Sequence, residues 1–99
     1  MAMFAPVAVA DTQVKIIAFN DFHGNLFSAG TVADVPVGGV DFFAAYVDRL
    51  KAQNPYNVVV SAGDLIGASP LVSALFHDEP TIEVMNRLGL EFNAVGNHE

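Results

Sequence analysis

The sequence has 99 residues, which sets an expectation of one domain or part of one. It is 53% hydrophobic and only 15% charged, too apolar for a disordered chain and suited to elements that become covered on both faces. Eleven acidic residues against four Lys and Arg give a net charge of −7, a field that repels nucleic-acid polymers and anionic membranes and leaves any bound phosphate in need of a cation. Cysteine is absent, which excludes a disulfide framework and a thiolate metal site, so the ligand chemistry left is that of His, Asp, Glu and Asn.

Met1 to Ala10 is apolar but only about half the roughly 20 residues that a spanning helix needs, so no transmembrane segment is expected. The stretch ends in Ala8-Val9-Ala10, small residues like those closing a secretory signal, although a basic start is missing. Residues 1–12 are therefore read as a leader or signal-peptide remnant, with a periplasmic or secreted destination set against a cytoplasmic one. The β-branched, apolar run Val14 to Phe19 predicts a buried strand that stops at Asn20-Asp21. A polar loop follows, through Gly24, Gly30 and Pro36 to Gly38-Gly39. Phe43, Tyr46, Val47 and Leu50 then recur at helical spacing and predict an amphipathic helix from about Val40 to Ala52, which Asn54-Pro55 ends.

Asn57 to Ser61 is apolar without alternation, as a parallel strand covered on both faces should be, and runs into Gly63-Asp64. After Ser69-Pro70 a short turn or helix is expected. Pro80-Thr81 opens a longer helix in which Ile82, Met85 and Leu88 share a face and Gly89 supplies the stop. A third strand, about Glu91 to Val95, meets Gly96-Asn97-His98-Glu99. The alternation of strands and helices predicts a parallel α/β sheet, in which ligands gather beyond the carboxyl ends of the strands.

All three strands end in loops that carry possible metal ligands. Asp21 and His23 lie two residues apart, so extended backbone would point both to one side. Gly63 lets the chain turn sharply and leaves the Asp64 carboxylate at a strand end. Gly96 precedes Asn97, an amide oxygen ligand, and His98. None of the three loops contains Lys or Arg, so metal ions would have to be the electrophile toward a phosphate. A phosphate-binding Gly-x-x-x-x-Gly-Lys loop, a dinucleotide Gly-x-Gly-x-x-Gly and a Gly-x-Ser-x-Gly elbow are all missing. Alone, Asp21-x-His23 and Gly63-Asp64 read more readily as structural turn residues and Gly96-Asn97-His98 equally well as a turn, and it is their order, each after an expected strand, that carries the functional reading. His77 fits no ligand position and reads as a solvated loop residue, while Phe42-Phe43 reads as packing against the sheet.

Taken together, Asp21-Phe22-His23, Gly63-Asp64 and Gly96-Asn97-His98-Glu99 resemble the signature of the calcineurin-like metallophosphoesterase superfamily. The fuller spellings Asn20 to Asn25, Gly63 to Pro70 and Val95 to Glu99 resemble its 5′-nucleotidase branch. The resemblance spans residues from about Val14 to Glu99 and implies the N-terminal part of a four-layer αββα sandwich, mostly of parallel strand-helix-strand units. It implies two divalent metal ions, manganese, zinc, iron or cobalt, with Asp21 and His23 on the first, Asn97 on the second and Asp64 bridging. His98 is implied as the catalytic residue. The implied activity is hydrolysis of a nucleotide or another phosphomonoester by a hydroxide that the two metals activate. Further histidine ligands of the superfamily, an acidic partner for His98 and a nucleoside-recognition domain find no match before Glu99. Residues 13–99 are accordingly expected to be a truncated piece that needs the remainder of its own chain and is inactive and marginally stable by itself. A non-catalytic metal-binding or interaction module on the same scaffold is the alternative, since fold alone does not fix activity.

Overall fold

The computed structural model describes residues 11–28 and 30–99, so most of the leader reading lies outside the described residues. In chain order the elements are β1 (Lys15–Phe19), β2 (Gly30–Val32), β3 (Val35–Val37), α1 (Val40–Lys51), β4 (Asn57–Ser61), α2 (Leu71–Ala74), α3 (Glu79–Leu88) and β5 (Phe92–Asn93). β1, β4 and β5 form a parallel sheet with β4 in the middle, pairing Ile17 with Val59 and Val60 with Phe92. The expected α/β architecture of parallel strand-helix-strand units is present.

Two of the elements differ from the sequence reading. The polar loop after β1 contains an antiparallel hairpin of β2 and β3, all of it exposed, so no apolar alternation announced it. The third strand is shorter than expected, closing at Asn93 rather than Val95.

The helices cover one face of the sheet. α1 lies against β1 and α3, and α3 against α2. Ile17 and Val59 of the strands meet Val47 of α1, Met85 and Leu88 of α3, and Leu65 of the loop after β4 in one buried cluster. Val47 and Val59 are essentially inaccessible, at 2% and 0% exposure, and burying each contributes roughly 1.5–3 kcal/mol. Phe43 packs edge-on to Phe19 at 4.9 Å and against Phe22 at 5.9 Å, as expected for an aromatic lying on the sheet. Phe42, in contrast, is 67% exposed, because the adjacent helical position points away from the strands. In α3 the buried stripe runs through Thr81, Met85 and Leu88, while Ile82, expected on that face, is 45% exposed.

Helix α3 ends as its sequence demands. Gly89 takes a left-handed conformation, and the amides of Gly89 and Leu90 close back on Asn86 and Met85. On the opposite face of the sheet, Ile16 and Phe92 are each 67% exposed, and no described residue covers that apolar surface.

Candidate metal centre

Beyond β1 and β4 the parallel pairing carries on into the loops. The amides of Asp21, His23 and Gly24 donate to the carbonyls of Gly63, Asp64 and Leu65 at 3.1, 3.0 and 3.0 Å. This ladder holds the Asp21-Phe22-His23 segment against the Asp64 loop. Asp21, His23 and Asp64 nevertheless all have positive φ, at 53°, 47° and 55°. The expectation of extended backbone at Asp21 and His23 is therefore corrected: left-handed turns, not strand alternation, bring the two side chains together. Conformations of this kind cost a non-glycine residue of order 1–3 kcal/mol and persist where the surroundings enforce them.

One ligand atom each from Asp21, His23 and Asp64 lies within 4.8 Å of the other two. His23 Nε2 stands 3.7 Å from Asp21 Oδ1 and 3.9 Å from Asp64 Oδ2. The other ring nitrogen, Nδ1, is 2.9 Å from the Gly67 carbonyl, a partner that can only accept. That bond puts the proton on Nδ1 and leaves the Nε2 lone pair facing the two carboxylates, the arrangement a histidine ligand requires. An N and O donor set without sulfur fits a borderline or hard divalent cation.

The loop after β5 closes on the same place. Gly96 is packed so tightly that a Cβ there would overlap Asp64 Oδ1 and lie 2.6 Å from Asp64 N, which only glycine avoids. The His98 amide donates to Asp64 Oδ1 at 3.1 Å, and the His98 ring meets the His23 ring edge-on at 5.0 Å between centroids. Asn97 is exposed on this loop between the two. The structure thus draws Asp21, His23 and Asp64 into one cluster and sets His98 beside it, while Asn97 is an exposed residue of the third loop.

The sequence reading gave Glu99 no role. Its carboxylate accepts the amides of Leu65, Asp64 and Gly96 at 2.8, 2.9 and 2.7 Å, tying the third loop to the second. Desolvation pushes the Glu99 carboxyl up, but the amides of Leu65, Asp64 and Gly96 outweigh it and lower the pKa from 4.5 to about 2. The signal available in the sequence was an acidic residue closing a loop that offers it no Lys or Arg.

No family model matches the chain. An uncharacterised protein of Acinetobacter calcoaceticus is 56% identical over 108 residues, covering 96% of this chain and 53% of that protein. A probable 5′-nucleotidase of Treponema pallidum is 35% identical over 97 residues, covering 90% of this chain and 16% of that protein. Among solved structures, the NAD nucleotidase of Haemophilus influenzae superposes with a TM-score of 0.77 at 28% identity over 87% of this chain and 16% of its own. The calcineurin-like phosphoesterase YfkN of Bacillus subtilis superposes with a TM-score of 0.67 at 28% identity over 86% of this chain and 29% of its own. The chain is a relative of the calcineurin-like phosphoesterases and 5′-nucleotidases. It spans about half of the Acinetobacter protein and a smaller share of the others. None of its described helices is long and apolar enough to cross a membrane.

Proposed function

We propose that the whole protein is a metal-dependent phosphoesterase acting on nucleotides, with Asp21, His23, Asp64 and Asn97 as metal ligands and His98 as the catalytic residue. The observation that carries this reading is the convergence of Asp21, His23 and Asp64 within 4.8 Å, with His23 held in the ligand tautomer by Gly67. Asp64 would be the residue to hold both cations, a reading supported by its place between the other two loops, facing both His23 and the His98 amide. When bound, a pair of divalent ions supplies Lewis acidity and a nucleophile active near neutral pH. This chain's own residues fix where that happens: the ladder between the first two loops sets Asp21 and His23, and Glu99 sets the third loop. In this reading His98, exposed beside the cluster, steadies charge on the phosphate and hands a proton to the leaving oxygen.

Nucleotides are favoured as substrates because the relatives include a probable 5′-nucleotidase and an NAD nucleotidase. An exported location is supported by a further relative, a cell wall protein of Listeria monocytogenes, 40% identical over 103 residues. Phosphate release from AMP by the whole protein, lost with a chelator and with Asp64→Asn, is the expected result. Undiminished release by Asp64→Asn would remove the bridging role.

A further inference from the structure

We propose that Asp78 is a positioning residue for the His23 imidazole, acting through Gly67. The inference rests on the reading of His23 as a metal ligand. Asp78 occupies the position just before α3, where an aspartate ordinarily caps the first amides of its own helix. Here it forms no such cap. Its backbone is left-handed, with φ 58° and ψ 10°, and its own carbonyl takes the amides of Thr81 and Ile82 at 2.9 and 3.2 Å. The carboxylate turns away instead and accepts the Gly67 amide through Oδ2 at 3.2 Å.

Gly67 is the residue whose carbonyl receives His23 Nδ1 at 2.9 Å and the Ser69 hydroxyl at 3.3 Å. It sits at φ +76°, and an added Cβ would come within 2.7 Å of the His98 carbonyl oxygen. A glycine so constrained on one side and so free in its own torsions needs tethers to hold one orientation. Asp78 supplies the tether at the amide, and His23 reads the result at the carbonyl. Half-buried Asp78, with Oδ1 out of contact with any described donor, has been diverted from helix capping to the loop that orients a ligand.

The test uses the whole protein, wild type against Asp78→Ser and Asp78→Asn. Serine is a good helix cap whose shorter side chain falls short of Gly67, so helix stability and loop tethering separate; the asparagine amide oxygen can still accept the Gly67 N–H. Two quantities are read: the His23 tautomer by 15N NMR without metal, and Mn2+ affinity by calorimetry. Asp78→Ser is expected to mix the two tautomers and weaken Mn2+ binding about tenfold, the lower end for outer-sphere changes, while Asp78→Asn keeps the Nδ1–H form and most of the affinity. An unmixed Nδ1–H tautomer in Asp78→Ser would overturn the proposal, whatever happens to the melting temperature. If wild type itself binds no Mn2+, the metal reading of the site fails, and the tautomer comparison still decides the role of Asp78.

Discussion

Glu99 and Asp64 are joined across 34 intervening positions: the Glu99 carboxylate accepts the Asp64 amide at 2.9 Å and, through the same oxygen, the Gly96 amide at 2.7 Å. Asp64 is thereby fixed at its backbone by the loop that also carries Asn97 and His98. Glu99→Ala frees two loops at once and is expected to lower divalent-metal affinity by about tenfold or more, in the range for outer-sphere partners. Calorimetric Mn2+ titration of wild type and variant checks it, and equal affinities would show the clamp to be dispensable.

The same clamp responds to acid with a definite sign. The folded carboxyl titrates at about 2, below its ordinary 4.5, because backbone amides favour its ionised form. A depressed folded pKa means that the contribution to stability is complete above about pH 4.5 and is lost as pH falls through about 2. A 13C titration of the Glu99 carboxyl is expected to find its midpoint well below 4.5; a midpoint at or above that value would contradict the three-amide geometry.

Gly96→Ala places a methyl group where Asp64 Oδ1 and N already stand. The backbone amide of Asp64 is among the atoms met, so moving its side chain alone gives no relief and a loop must shift, at a cost of about 1–3 kcal/mol. Urea denaturation measures the loss, and a stability equal to wild type would mean that the loops are less closely packed than described.

His98→Ala separates chemistry from metal binding. In the whole protein kcat is expected to fall by about 10²–10⁴-fold, the usual contribution of a positioned acid or base, with Mn2+ affinity kept. Parallel losses of turnover and affinity would reassign His98 to the ligand set.

Much of the fold was legible because its strands and helices carry their own signals: Val58-Val59-Val60 is unbroken and β-branched, and Phe43, Val47 and Leu50 in one helix and Met85 and Leu88 in the other fall at helical spacing. The β2–β3 hairpin was not, since every residue in it is exposed and its Pro36 and Gly30 read as loop. Asp21, His23 and Asp64 were legible as a set through the order of three short motifs, yet the reason given for the first pair failed. Two-residue spacing suggested a strand, and positive φ at both residues shows a turn. Glu99 and Asp78 escaped notice because the contacts that give them a role reach mainly to residues distant in sequence, Asp64 and Leu65 for Glu99 and Gly67 for Asp78, and the acidic end of the third loop is the one trace of them in the sequence.

Anomalous diffraction from crystals of the whole protein grown with Mn2+ bears most directly on the convergence of the three loops. Manganese density bounded by Asp21, His23 and Asp64, with a second peak reached by Asp64 and Asn97, is the expected result. Density elsewhere on the protein, or none in crystals whose Asp21, His23 and Asp64 side chains are ordered, would contradict it.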